Sequence, residues 1–182
     1  TRALEVVGDG SPSAARLHRG ACRGTMAHSS GAALYHATRA IELAEDTGDL
    51  EIFTLGLSSA MHIRLLTGDW ALDERFDRAV LRCRQEGLWS PLSVLLTSQA
   101  TVLWGRGEVE PARAAIAHAV DAARSSDDLL GLGLALLVRC DIEAKFGDLD
   151  AALSFTEVAL TLAAEMDPQC CLGADAHGSR CM

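Results

Sequence analysis

Apolar residues recur three and four positions apart along most of this chain, the spacing that places them on one face of an α-helix. Helical patterns of this kind run over 13–28, 50–66, 92–104 and 129–146. Each is followed by a glycine-containing turn and a second helical pattern in which small residues form a stripe. The stripe is anchored at Ala40, Ala79, Ala119 and Ala159, at separations of 39, 40 and 40 residues. One residue after each anchor stands Ile41, Val80, Val120 or Leu160, and four residues after stands Ala44, Cys83, Ala123 or Ala163. Seven residues before each stands Ala33, Leu72, Ala112 or Ala152. Small residues at this spacing let a neighbouring helix approach closely.

The turns are read at Ser30-Gly31, Gly68-Asp69, Gly107-Glu108 and Gly147-Asp148. Glycine ends one helix in a left-handed conformation, and the acid after it lies near the positive end of the next. Pro91 suits the first turn of a helix, where its missing N–H costs nothing. The period predicts an all-α fold of four helix-turn-helix hairpins of about 40 residues each.

Composition agrees. The chain has 182 residues and is 49% hydrophobic but only 4% aromatic, so Leu, Ala, Val and Ile must build the core. Ala and Leu lose little side-chain freedom in a helix. At this length the chain can bury about 70% of its unfolded surface. The net charge of −9 argues against this segment gripping a phosphate backbone directly. From Asp127 onward ten acidic residues face only Arg139, Lys145 and Arg180. The longest apolar run, Leu129 to Val138, is too short to span a membrane, which needs about 18 residues. Cytoplasmic location is expected. The chain begins with Thr, as an excised piece of a longer protein would.

Candidate chemistry is sparse. Gly56-Leu57-Ser58-Ser59-Ala60 approaches the G-x-S-x-G nucleophile elbow, but it lacks the final glycine and lies inside a helical pattern. Cys170, Cys171, His177 and Cys181 could ligate zinc, yet adjacent cysteines present two ligands poorly. Residues 169–182 are expected to be a disordered tail following a helical domain over 1–168. Cys22, Cys83 and Cys140 lie in helical patterns and read as small apolar residues. His118 reads as a surface residue, and Trp70, Trp89 and Trp104 read as seals at hairpin ends. A non-catalytic protein without metal or cofactor is expected.

Gly147-Asp148-Leu149-Asp150-Ala151-Ala152-Leu153 continuing to Ala159-Leu160, and Gly107-Glu108-Val109-Glu110-Pro111-Ala112-Arg113 continuing to Ala119, resemble the second helix of the tetratricopeptide repeat. The first-helix aromatic signature is missing and the period is longer than that family's. The stretches LLTGDW, WGRGEVEPARAAIAHAVDAAR and FGDLDAALSFTEVALTLAAEMD are similar to the helical-repeat region of large LuxR-type, MalT-like bacterial transcriptional activators. That resemblance implies a right-handed superhelical solenoid serving as a sensor or interaction region between an ATPase and a DNA-binding helix-turn-helix. Neither flanking motif occurs in these residues: no G-x-x-x-x-G-K-[ST] is found, and the only lysine, Lys145, follows Ala144.

The tetratricopeptide resemblance also implies that the position six residues before each turn glycine points into a concave groove. Counting back from Gly68, Gly107 and Gly147 gives His62, Thr101 and Asp141. The expected partner is a protein or peptide, or a small-molecule effector, and homodimerisation through an exposed end is allowed. A stand-alone scaffold unrelated to transcription is the alternative.

Overall fold

A computed structural model describes residue 7 and residues 11–165 of the chain. Among them it shows eight helices and no strand: α1 (Pro12–Thr25), α2 (Ser30–Thr47), α3 (Leu50–Leu66), α4 (Phe76–Glu86), α5 (Trp89–Arg106), α6 (Val109–Ser125), α7 (Leu129–Lys145) and α8 (Leu149–Glu165). The expected all-α class is therefore observed. The chain divides into two compact units, Thr1–Pro91 and Leu92–Met182, with the division in the first turn of α5.

One local device ends six successive helices. Residues 48, 68, 87, 107, 127 and 147 all have positive φ. The N–H of the residue after each reaches back five positions, as Asp49 to Ala44 O at 2.9 Å, Glu108 to Leu103 O at 2.9 Å and Asp148 to Glu143 O at 2.9 Å. This is the Schellman closure, which satisfies carbonyls that a helix end would otherwise leave bare. It recurs every 19 or 20 residues, so the 40-residue period of the sequence is a doubled helix-plus-closure unit. Five of the six positions are glycine; the sixth is Asp127 at φ 52°. A non-glycine residue there carries a steric cost. Asp127→Gly is accordingly expected to raise stability by roughly 0.5–1 kcal/mol, read as a higher denaturation midpoint. An unchanged or lower midpoint would contradict that account of the closure.

The next helix is begun by the acid where the geometry permits. Asp49, Asp128 and Asp148 accept from the N–H groups of Ile52, Gly131 and Ala151, at 3.1, 2.8 and 3.0 Å. Each satisfies one orphan donor of the first turn. Two of the four expected hairpin turns need correction. Ser30 and Gly31 lie inside α2, whose cap is Ser29, bonded to Ala32 N–H at 3.2 Å. The first helix correspondingly stops at Thr25. After Gly68 the chain does not start a helix at once. Asp69 accepts from Ala71 N–H and Asp73 from Arg75 N–H, both at 3.0 Å, so these short side chains hold turns that compete with helix. The helix starts only at Phe76, which leaves Leu72 in a half-buried connection, and fully buried Phe76 fills the space beside Ala79.

The small-residue column is the core. Ala40, Ala79, Ala119 and Ala159 are all 0% exposed. Ala44, Cys83 and Ala123 below them are also buried, whereas Ala163 is only half-buried. In the first unit α1 packs on α2 and α2 on α3. In the second, α6 packs on α7 and α7 on α8. Gly56, inside α3, leaves room for Ile41 of α2: a Cβ there would meet Ile41 Cγ1 at 2.8 Å.

The α6–α7 contact also shows which flank of α6 a following helix covers. Arg113 of α6 reaches the buried Glu143 of α7, with Nη2 to Oε2 at 2.6 Å and Nε to Oε2 at 3.0 Å. Forty residues later the matching position on α8 is Leu153, 51% exposed, and the turn before it carries Leu149, 63% exposed.

Candidate functional site

The three residues singled out in the sequence fall on α3, α5 and α7. His62 lies in the first unit, exposed on α3. Thr101 and Asp141 lie in the second, both half-buried. The Thr101 hydroxyl donates to Thr97 O in its own helix, at 2.9 Å.

Asp141 differs. Burial pushes its carboxyl above the ordinary carboxylate range, because desolvation disfavours the charged form. No ion pair or hydrogen bond among the described residues compensates it, although the chain has basic residues on the same helix.

A contact between α5 and α7 brings the last turns of these two helices together. Lys145, one turn beyond Asp141 on the same face of α7, stretches to α5. Its Nζ donates to Trp104 O at 3.3 Å and stands 4.8 Å from the centre of the Trp104 ring. Trp104 is in turn one helical turn beyond Thr101. The indole Nε1–H of Trp104 is buried and has no acceptor. Leaving a buried donor unpaired costs about 1–3 kcal/mol, and desolvating a lone carboxylate is unfavourable as well. Thr101, Trp104, Asp141 and Lys145 thus form a polar strip along the two helices joined by this contact. Two of its groups, the carboxylate and the indole N–H, lack partners.

Sequence reasoning found Thr101 and Asp141 and missed Trp104 and Lys145. The one lysine among 16 basic residues was the available signal, since a cation beside an aromatic ring is a specific contact. The tryptophans do sit near helix ends: Trp70 in the connection before α4, Trp89 first in α5, and Trp104 in the last turn of α5.

Gly56 to Ala60 run through the middle of α3, without the strand-to-helix turn that a nucleophile elbow requires. Cys22, Cys83 and Cys140 are buried free thiols, as expected, and burial pushes the Cys83 thiol up to about 11, away from thiolate reactivity. His118 is exposed on α6. Cys170, Cys171, His177 and Cys181 lie outside the described residues, as does the expected tail. Among the described residues no three His, Cys, Asp or Glu side chains cluster as metal ligands. No helix there is long and apolar enough to cross a membrane.

One pairing had no sequence signal. Buried His18 of α1 and His36 of α2 meet Nδ1 to Nδ1 at 2.9 Å, so one ring must donate and the other accept. Tyr35 packs edge-on against both rings. The pair ties α1 to α2.

Comparison with known proteins adds no constraint: no family model, no curated protein and no solved structure matches the chain.

Proposed function

We propose that this chain is a non-catalytic helical-repeat region, tetratricopeptide-like and solenoidal, that serves a LuxR-type transcriptional regulator as its sensor or interaction segment. The observation that carries a binding role is Asp141: a half-buried, desolvated carboxylate without a partner, one turn from the Lys145 that reaches Trp104, whose buried indole N–H also lacks one. A protein keeps such unpaired groups at a cost in stability, and sites of function are where that cost is commonly met. A ligand or peptide group that donates to Asp141, an amine or a hydroxyl, would pair the carboxylate. Any difference in its affinity for two arrangements of the helices would shift their populations and bias an attached domain. The regulator assignment rests on the resemblance of the repeats, and His62 joins the proposal only through its matching position in the repeat.

The test is a thermal-shift screen of the purified chain against amines, metabolites, nucleotides and short peptides, run beside Asp141→Asn. The Asp141 carboxyl titrates higher in the folded than in the unfolded chain. Its penalty is therefore absent below the unfolded value, about pH 4, and present once pH exceeds the folded value. Asp141→Asn should melt higher than the parent at pH 7, and this gain should vanish below about pH 4. It should also abolish the shift given by the active ligand. A variant that melts lower at pH 7, or keeps the full ligand response, removes Asp141 from the site. The regulator reading has its own check in the coding sequence on either side, where a P-loop upstream and a basic helix-turn-helix downstream are expected.

A second reading, a scaffold that binds a protein partner and has no role in transcription, is favoured by the exposed Leu149 and Leu153 on α8. They occupy the flank that α7 covers on α6. If the screen gives no small-molecule response and Leu153→Glu abolishes capture of a defined partner, this reading takes precedence.

A further inference from the structure

The first unit contains a cavity that the polar strip does not use. It opens between α2, α3 and α4 and has a volume of about 150 Å³. Ala44, Leu50 and Phe53 form its floor, each at most 4% exposed. Glu45, Arg78 and Arg82 stand around it with side chains 42, 57 and 44% exposed. It therefore has an apolar base and a charged rim.

The sign of that rim follows from its members. Two arginines and one glutamate give the lining a formal charge of +1, on a chain whose net charge is −9. The end of α2 and the start of α3 meet beside the cavity at Gly48–Leu50, so their opposite dipole ends largely offset one another. The arginines supply the cationic donors of the lining, and Glu45 and Glu86 each hold one of them. Arg78 is engaged by Glu45, which Arg75 also approaches at 4.0 Å. Among the described residues Arg82 pairs with Glu86 one turn away, at 3.1 Å. A guanidinium has five N–H donors, and one such contact leaves most of Arg82's fork available to a second carboxylate.

We infer that this cavity binds a small carboxylic acid with a compact apolar body, its carboxylate held by Arg82 with Arg78 and its body set on Phe53, Leu50 and Ala44. An enclosed apolar cavity of about 150 Å³ holds a benzene ring, and this open cavity with a charged rim has a similar volume. Glu45 competes with the ligand for Arg78 and so keeps the affinity low. The site is distinct from the strip at Asp141, and its failure would leave that reading standing.

Benzoate is the probe, with benzylamine and benzyl alcohol as its cationic and neutral counterparts, each titrated into the intact chain and followed by amide NMR shifts. Benzoate is expected to shift the Ala44, Leu50 and Phe53 amides saturably, with a Kd of about 1 mM, and more strongly than either counterpart. Arg82→Gln should weaken it roughly tenfold. Glu45→Gln, which frees Arg78, should tighten it, an opposite response that general unfolding cannot imitate. Equal binding of all three probes, an undiminished response in Arg82→Gln, weaker binding in Glu45→Gln, or no saturable shift at these amides would each overturn the assignment.

Discussion

Ala119→Phe is expected to cost about 1–3 kcal/mol of folding stability, because a ring must be fitted where no space remains. Ala119 is 0% exposed on α6, with Ile116 and Val120 buried on either side and Ala123 one turn below. The added ring can be accommodated only by moving α6 from its neighbours or by forcing side chains from their preferred rotamers. In a unit of this size each kcal/mol corresponds to about 4–8 °C in melting temperature. Ala114, exposed on the same helix, is the control, and Ala114→Phe should change stability by no more than about 0.5 kcal/mol. If thermal denaturation followed by circular dichroism gave both variants the parent's melting temperature, the small-residue column would not be a packing seam.

Asp73→Asn should have the next largest effect, and it should depend on pH. Arg75 grips Asp73 with Nε to Oδ1 and Nη2 to Oδ2, both at 2.9 Å. The hydrogen bonds from the Arg75 side chain are the main reason the Asp73 carboxyl falls to about 2; burial opposes them, while the Arg75 N–H and the charges of Arg75 and Arg64 add to them. The folded value lies below the unfolded one, near 3.9. The carboxylate therefore contributes stability above about pH 4, and that contribution is lost as pH falls toward 2. The Arg75 side chain is 26% exposed, and solvent screening reduces the gain to about 1–2 kcal/mol at neutral pH. Chemical denaturation of parent and variant from pH 7 to pH 2 should show two curves that converge between pH 4 and 2. Parallel curves over that range would mean that the fork does not stabilise the connection before α4.

These two sites differ in how readily they could be read from the sequence. The Ala119 column was legible because helical spacing converts sequence order directly into a face, and four repeats of the same spacing reinforce one another. Asp73 was not, because its effect is to delay a helix that the apolar spacing alone would begin earlier. The same competition displaced Leu72 from the helix and left Phe76 to pack beside Ala79. Ser30-Gly31 misled for a related reason: serine and glycine are turn residues by preference, but Ser29 had already capped the helix that contains them. Asp127 concealed a closure by standing where glycine stands elsewhere.

The candidate site was half legible. Thr101 and Asp141 were singled out through what the tetratricopeptide resemblance implies about the position six residues before the turn glycine. Trp104 and Lys145 are 41 residues apart and meet only because α5 and α7 bring their last turns together. Neither the lack of a partner for Asp141 nor that for the Trp104 indole can be read from any spacing, since each depends on what surrounds the group in three dimensions.

By itself, then, the sequence determined the helices, their left-handed closures and the buried small-residue stripe. All three are governed by residues within about one turn to two turns of each other, and local sterics and hydrogen bonding act at that range. Only the tertiary structure decided the His18–His36 pair, the Arg113–Glu143 fork, the polar strip and the cavity below Arg82. Each joins residues from different helices, and which side chains meet there depends on how whole faces pack against one another.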